Sequence, residues 1–218
     1  MPRLLALLLL LVLPAAAEAS SPAGPPDGTY RYSIEHSEHG KLGTHVITIA
    51  TQGDTRRVSA DRRLLVERLL IVVYRENTLI EELWQGGQLQ SYSRHSDYGD
   101  KVTTLTATLG AEGLVIDNDG QRSTLPAGLM STHFWNPQLV EQSQLFSTED
   151  GSLLQVSVTQ AGDEQLVVGG QRLTATRFEM TGGERRTFWF DDQGRLLRMD
   201  LHRGGDEVVT FQLERLPG

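Results

Sequence analysis

The chain has 218 residues, of which 39% are hydrophobic, 22% charged and 6% aromatic, and its formal net charge is −8. Such a composition is typical of a globular protein and excludes a disordered one, while the acidic balance makes nucleic acid an unsuitable partner. Cysteine is absent, which excludes disulfides, thiol catalysis, iron–sulfur clusters and cysteine-ligated zinc.

The chain begins with the charged, apolar and small-residue order of a secretory signal peptide. Arg3 precedes ten apolar residues at positions 4–13, and small residues ending in Ala17-Glu18-Ala19 follow. The apolar run is too short to span a bilayer, which needs about 20 such residues. We therefore expect residues 1–19 to be removed, with cleavage after Ala17 as the alternative. The mature protein is expected to be exported, to the periplasm in the first instance, and to contain no transmembrane segment.

Turn sequences divide the rest of the chain. Residues 20–28, SSPAGPPDG, form a linker rich in Pro, Gly and Ser. Beyond it, glycine-containing turns recur between stretches rich in Val, Ile, Thr, Tyr and Phe, as in antiparallel strands joined by hairpins. These turns include His39-Gly40, Gly86-Gly87, Asn118-Asp119-Gly120, Gly169-Gly170 and Gly204-Gly205. No domain boundary is visible after residue 28, so residues 29–218 are expected to form a single antiparallel β domain.

Alternation of apolar and polar residues supports a β fold. In the last predicted strand Val209, Phe211 and Leu213 share one face, and Phe188 and Phe190 do so two strands earlier. A sheet of about ten or more such strands must curl to bury its apolar side. The predicted fold is therefore all-β: a strongly curved antiparallel sheet, forming either a half-barrel or a closed barrel.

One segment interrupts the strand pattern. Asn136 is a suitable helix N-cap, and Pro137 suits the first helical position because the N–H that it lacks would have had no partner there. The sequence therefore predicts one short helix, of two or three turns, near residues 137–146. Its apolar side chains, among them Leu139 and Phe146, are expected to pack onto the open end of the sheet.

Two groups of charged residues are better explained by strand structure than by a functional site. Five arginines interleaved with apolar residues are interpreted as the solvent-exposed face of a strand. The adjacent pairs Glu81-Glu82 and Asp191-Asp192 cannot act as catalytic dyads, because neighbouring side chains on a strand point to opposite faces. The arginines are Arg56, Arg57, Arg62, Arg63 and Arg68.

Three histidines form an alternative metal site. His36, His39 and His45 fall within ten residues, and imidazole nitrogens are ligands for zinc and copper. The sequence H-S-E-H-G-K is expected to form the tip of the first hairpin, with His45 further along the outgoing strand, so the three rings would point in different directions. A solvated hairpin tip is the preferred interpretation, and no metal or other cofactor is predicted.

Aromatic residues form the candidate ligand-binding site. His133, Phe134 and Trp135 lie where the strand pattern stops, next to the predicted helix, which is a common setting for a binding site. Aromatic side chains also serve simply to fill a core, and this alternative stays open. A second set, expected on the concave face of the sheet, completes the candidate site: Phe178, Phe188 and Phe190.

Several segments together carry a family resemblance. They are the predicted signal peptide, the hairpin from Tyr30 to His45, the central Phe134-Trp135-Asn136-Pro137 and the tail with Phe188-Trp189-Phe190-Asp191-Asp192. Their combination resembles an uncharacterised proteobacterial family of exported all-β proteins, a domain of unknown function, over about residues 28–216. The tail is also similar to periplasmic families with curved sheets, such as lipoprotein carriers. That similarity implies an architecture and not a function, and the family supplies no catalytic residues.

Three functions are compatible with the sequence. The leading hypothesis is a non-enzymatic periplasmic binding or carrier module that holds a lipid or another apolar small molecule on the concave face. The alternative is an envelope interaction or assembly protein that contacts a partner protein through an exposed face. A metal-dependent hydrolase comes third, because the chain has no phosphate loop, nucleophile elbow or zinc-protease motif.

Overall fold

A computed structural model describes residues 24–68 and 71–217, and the predicted signal peptide lies outside them. The described residues form sixteen β-strands and one 3-10 helix. The strands are β1 (Gly28–His36), β2 (Gly40–Gln52), β3 (Thr55–Arg68), β4 (Ile71–Gln85), β5 (Gln88–Asp97), β6 (Val102–Gly110), β7 (Gly113–Asn118), β8 (Gln121–Leu125), β9 (Met130–Ser131), β10 (Gln144–Phe146), β11 (Leu153–Gln155), β12 (Ser157–Val168), β13 (Gln171–Thr181), β14 (Arg185–Phe190), β15 (Leu196–Gly204) and β16 (Glu207–Leu213), and the 3-10 helix spans Pro137–Glu141. Across these residues, no helix has the length and apolar character needed to cross a membrane.

Thirteen strands form one antiparallel sheet, in the order β12-β13-β14-β15-β16-β1-β2-β3-β4-β5-β6-β7-β8. The first strand pairs with the last, β16, as well as with β2. In the described part of the chain, β8 and β12 are the two edges, so the ladder of hydrogen bonds stays open. The prediction of an all-β fold with more than ten antiparallel strands is confirmed.

The inner face of this sheet is apolar because its strands alternate. On β1, Tyr30, Tyr32 and Ile34 are buried, and the residues between them are more exposed. Ile47 and Ile49 repeat the pattern on β2. A long sheet with one apolar face twists and curls around that face, so the hydrophobic core lies on the concave side.

Residues 129–156, here called the crossing segment, lie against the concave face. They contain the 3-10 helix and a small second sheet in the order β11-β10-β9. Phe146 packs edge-on against Tyr92 of the large sheet, with ring centroids 5.3 Å apart. Gly182, after β13, lets the backbone of Gln155 approach so closely that a Cβ atom would lie 2.0 Å from its carbonyl oxygen. The crossing segment therefore fills the interior of the curled sheet.

The predicted helix is present but is shorter and tighter than expected. Pro137–Glu141 form a 3-10 helix, and the side chain of Asn136 accepts a hydrogen bond from the backbone N–H of Gln138 at 3.0 Å. Gln144–Phe146 form β10 instead of a further helical turn, because pairing with β9 and β11 satisfies the backbone there. Leu139 of the helix is buried, in agreement with the expected packing.

The β3–β4 hairpin extends beyond the strands on either side of it. β2 pairs with β3 only as far as Leu64, and β5 pairs with β4 only from Asn77. Residues 65–68 and 71–75, here called the arm, are therefore a two-stranded ribbon without a third strand. Its large apolar side chains are 41% to 57% exposed, and they are Leu65, Val72, Val73 and Tyr74.

The arginines of β3 do not share one exposed face, which corrects the interpretation from sequence. Arg63 faces solvent, but Arg62 lies on the same side of the strand as Val58 and is only 20% exposed. Arg56 is on that side too and is half-buried, while the side chain of Arg68 lies outside the described ones. The reason is the period of two, since residues separated by two, four or six positions face the same way.

Candidate functional site

A buried carboxylate lies at the centre of the concave face. Glu82 follows Ile80 on the inward side of β4, and its side chain is fully buried. Its Oε2 accepts hydrogen bonds from the indole Nε1 of Trp84 at 2.7 Å and of Trp135 at 2.8 Å. Its Oε1 lies 2.8 Å from Nδ1 of His133. These donors from the crossing segment and from β4 itself replace the water that a buried carboxylate loses.

The carboxylate is continued by two histidines. Because a carboxylate oxygen only accepts, Nδ1 of His133 carries the hydrogen between His133 and Glu82. Nε2 of His133 lies 3.3 Å from Nε2 of His45, a residue of β2 that is 88 positions away in the sequence. Nδ1 of His45 is buried and has no hydrogen-bond partner among the described residues. The chain Glu82–His133–His45 thus ends on a nitrogen with unused hydrogen-bonding capacity.

Burial keeps the last member of this chain neutral. Desolvation, followed by the charges of His133 and Arg62, lowers the pKa of His45 well below its usual value of 6.5. A neutral imidazole has one N–H, so Nε2 of His45 either donates to His133 or accepts from it. Nδ1 of His45 is then an acceptor in the first case and a donor in the second.

Aromatic rings fix the positions of both histidines. The ring of Phe134 lies 5.2 Å from that of His45 and 5.6 Å from that of His133, measured between centroids. Tyr32 of β1 and Phe211 of β16 pack against Phe134 in turn, at 5.9 and 5.1 Å. Tilted and edge-on contacts of this kind are the favoured arrangement of aromatic pairs. Strands distant in the sequence thus build one tightly packed site.

A cavity of about 280 Å³ lies beside the two histidines. It is bounded by the first four strands, by β14–β16 and by the crossing segment, which contributes His133 and Phe134. About half of its lining is apolar, and the aliphatic and phenylalanine side chains that line it are Ile34, Leu42, Leu64, Ile80, Phe134, Met199, Leu201, Val209 and Phe211. The site therefore joins a buried polar chain to a cavity of mixed polar and apolar lining.

Ion pairs line the remainder of the cavity. Arg62 donates to Glu76 through Nε at 2.9 Å. Burial alone would raise the pKa of Glu76, but the charge of Arg62 and hydrogen bonds to the carboxylate lower it below its usual value. Glu184 accepts from two guanidinium groups, those of Arg186 at 2.9 Å and Arg203 at 2.7 Å. One carboxylate between two arginines leaves a positive charge at this end. Nε of Arg186 also has no hydrogen-bond partner among the described residues.

The sequence-predicted ligand residues do not share one location. His133 and Phe134 line the cavity beside the histidine chain, whereas Trp135 is buried and donates to the central carboxylate. Phe188 is fully buried and stacks on Phe190, with ring centroids 6.0 Å apart. The aromatic residues of the crossing segment therefore belong to a different place from those of β13 and β14.

Phe178 and Phe190 line a second cavity, of about 300 Å³. Its other walls come from the 3-10 helix, through Pro137 and Val140, and from the turn after β14, through Asp191. The short helix thus covers this second cavity and not the one beside the histidines. Of the predicted ligand residues, two line each cavity, while Trp135 and Phe188 line neither.

The three histidines of the alternative metal site are separated in the structure. The rings of His36 and His39 stack at the hairpin tip, with centroids 4.5 Å apart. On the β1–β2 ladder His45 pairs with Tyr32 and His36 pairs with Gly40, so the two lie four positions, or about 13 Å, apart along the strand. Among the residues that the structure describes, no group of three or more His, Cys, Asp or Glu side chains is arranged to hold a metal ion.

Sequence reasoning missed the centre of the site. Glu82 was considered only together with Glu81, and Arg62 was assigned to solvent. A signal existed for both, because Glu82 lies between Ile80 and Trp84 in the inward register and Arg62 lies two residues after the buried Ala60. The contact between the two histidines of the chain had no local signal.

Fold and site together define a class, a β-barrel-like protein made from one open, curled antiparallel sheet with a buried carboxylate–histidine chain and a cavity inside. Residues 32–214 match the domain of unknown function DUF6134, and the protein belongs to that family. It is also similar to the crystal structure of a β-barrel-like protein of the domain of unknown function DUF1849 from Brucella abortus, with a TM-score of 0.64 and 12% identity over 89% of this chain and 99% of that one. At this identity the likeness shows the fold alone. None of the curated proteins compared with the chain matches it.

Proposed function

We propose that the protein is a non-enzymatic binding module that holds a small apolar molecule with one acidic end in the cavity beside His45 and His133. The observation that carries this proposal is the cavity of about 280 Å³ on the concave face, with an apolar part and one end where two arginines face a single glutamate. Ligand sites of proteins commonly combine apolar walls with a few placed polar groups.

The charged end supports an acidic group on the ligand. Glu184 neutralises only one of the two arginines that it contacts, Arg186 and Arg203. The side chains of Arg186 and Arg203 are 10% and 49% exposed, so a carboxylate or another accepting group of a ligand can pair with them. A purely apolar molecule would leave their charge unmatched.

The volume supports a small ligand. Cavities that bind drug-sized molecules measure about 300–1,000 Å³, and this one, at about 280 Å³, is just below that range. It suits a single short acyl chain or a compact ring system and is too small for a lipid with two long chains. A larger molecule would have to extend out of the cavity.

An exported location fits this proposal. The N-terminal sequence has the order of a signal peptide, and the tail of the sequence resembles periplasmic families with curved sheets, such as lipoprotein carriers. The expected test of export is the mass of the protein isolated from a cell envelope fraction. That mass should correspond to a chain that begins at Ser20, or at Glu18 if cleavage follows Ala17.

Titration with 1-anilinonaphthalene-8-sulfonate tests the proposed cavity, since this probe has an apolar body and one anionic group. We expect Leu64→Glu to weaken binding by about tenfold or more, which corresponds to at least about 1.4 kcal/mol. Leu173→Glu is the matched control, because Leu173 is also a half-buried leucine but does not line the cavity. Equal binding by wild type and Leu64→Glu would contradict the assignment.

A second pair of variants tests the acidic end of the ligand. Arg203→Gln removes the charge that Glu184 leaves over, so the anionic probe should bind about three- to tenfold more weakly, as for a partly exposed charge pair. Arg198→Gln, on the same strand, removes a partly exposed arginine that pairs with Asp200 instead. If Arg203→Gln binds the probe as wild type does while Leu64→Glu binds it more weakly, the cavity is supported as the binding site. The proposal that the ligand has an acidic end would then be contradicted.

A further inference from the structure

The arm exposes three apolar side chains that do not line the cavity, those of Leu65, Val72 and Val73. Its exposed apolar side chains lie on both faces of the ribbon, because Leu65 faces the same way as its partner Arg75, whereas Tyr74, the preceding residue on β4, faces the other way. Leu65 pairs with Arg75 on one face, and Val66 pairs with Tyr74 on the other. A partner with one flat surface covers only one of these faces. An apolar medium that surrounds the ribbon covers both.

The order of residues along the arm matches the layers of a lipid surface. On β4, Ile71, Val72 and Val73 are nearest the tip, Tyr74 follows, and Arg75 comes next, while Glu67 and Arg68 of β3 pair with Val72 and Ile71. Tyrosine is enriched at membrane interfaces because its ring is apolar and its hydroxyl is polar, and arginine attracts lipid phosphates. Three residues of a strand span about 10 Å. This length is at the upper end of the depth of about 5–10 Å that interfacial segments reach.

The hydrogen bonds of the arm agree with this order. The hydroxyl of Tyr74 donates to Glu76 at 2.7 Å, so it stays at the polar base of the arm. Arg75 is exposed, and Arg63, beside the base on β3, is 71% exposed although it contacts Asp61. Cationic groups thus flank the base, while the described side chains nearer the tip are aliphatic.

We infer that the arm is a lipid-docking element, whose exposed aliphatic side chains enter a lipid surface while Tyr74 and Arg75 lie at the level of the headgroups. Docking brings the cavity to that surface, because Leu64 and Tyr74 at the base of the arm also line the cavity. The inference does not require the cavity to bind a ligand. It concerns the arm alone and can fail or hold independently of the proposed function.

Vesicle flotation tests the inference with residues 20–218, which contain every strand that the structure describes. The vesicles consist of phosphatidylethanolamine and phosphatidylglycerol in a ratio of about 3:1, so that their surface is anionic. Wild-type protein should float with them. Val72→Ser combined with Val73→Ser should reduce the bound fraction by about tenfold, as expected when two half-exposed valines lose their burial in lipid.

The matched control is Val102→Ser combined with Val167→Ser. These valines are 55% and 60% exposed, against 52% and 57% for Val72 and Val73, but they lie outside the arm. The control should float within about twofold of wild type, because surface substitutions away from a binding region have small effects. Far-ultraviolet circular dichroism and thermal unfolding should show that both double variants are folded.

Three outcomes would overturn the inference. The first is equal flotation of wild type and of the arm variant, and the second is a wild-type protein that does not float. The third is a concentration-dependent dimer in sedimentation that the arm variant abolishes without any change in flotation, which would make the arm a contact between two copies of the chain. If the arm variant loses flotation but binds 1-anilinonaphthalene-8-sulfonate as wild type does, lipid docking by the arm is supported. The proposed ligand site in the cavity is tested separately by the Leu64→Glu variant.

Discussion

Strands β3 and β4 run through two contrasting regions of the molecule. One buries charged side chains, and the other exposes apolar ones. In the curled body they place charged side chains inside, including Arg62, Glu76 and Glu82. In the arm the same two strands place Val72 and Val73 in solvent. Buried charges and exposed apolar side chains both reduce stability relative to the ordinary arrangement. Both departures from the ordinary arrangement agree with the proposed roles of the two regions, ligand binding in the interior and lipid docking in the arm.

Removing the central carboxylate should have the largest effect on stability. Glu82→Ala leaves the buried donors of Trp84, Trp135 and His133 without their acceptor, and breaking such a buried charged network costs about 3–5 kcal/mol. Urea unfolding at pH 7.5 measures the loss. Glu81→Ala, at the exposed neighbouring position, should change stability by about 0.5 kcal/mol or less. Equal losses in the two variants would show that the buried network is not a stability determinant.

Removing one donor from the network should have a smaller effect. Trp135→Phe keeps the aromatic packing but deletes the indole N–H that bonds to Glu82, and a hydrogen bond to a charged group is worth about 1.5–3 kcal/mol. Trp189→Phe is the control, because its indole donates to Glu164, a carboxylate that is 43% exposed. The control should lose less than about 1 kcal/mol. A larger loss in the control would reverse the proposed difference between interior and surface.

The histidine chain should make stability depend on pH. Because the pKa of His45 is lowered in the folded protein, the unfolded chain takes up a proton below pH 6.5 that the folded protein does not. Stability should therefore fall as the pH falls from 6.5 towards 5.5, by up to about 1.4 kcal/mol per pH unit. Unfolding of His45→Gln over the same range should show a flatter curve, and an unchanged slope would mean that His45 is not the responsible group.

The arm should contribute least to folding. Val72→Ser combined with Val73→Ser should change the free energy of unfolding by about 0.5 kcal/mol or less, because the two side chains are largely exposed in the folded protein. Urea unfolding without lipid measures this change. A loss above about 2 kcal/mol would show that the arm is part of the core, and the contrast between the two regions would then disappear.

The strands were predictable because their signal is local. A period of two, with glycine turns at short intervals, indicated antiparallel strands throughout, and Tyr30, Tyr32 and Ile34 follow that pattern. The helix was less predictable. Asn136 and Pro137 mark its start correctly, but its length depends on pairing between β10 and its two neighbours, which the sequence does not display.

The site was only partly predictable, for two different reasons. Arg62 and Glu82 carry a local signal, since each shares the face of a buried neighbour, but this signal opposes the general tendency of charged residues to lie in solvent. His133 was singled out for its position, whereas its contact with His45 depends on how the sheet curls and on where the crossing segment lies. Contacts over such sequence separations have no signature in a single sequence.

Native mass spectrometry of the protein isolated from the cell envelope is the most direct test of the binding proposal. We expect wild-type protein to carry an additional small-molecule mass that is lost on denaturation. Leu64→Glu should lack this mass, and Leu173→Glu should retain it. A wild-type mass equal to that of the polypeptide alone, or an additional mass that Leu64→Glu retains, would contradict the proposal that the cavity beside His45 and His133 holds a ligand.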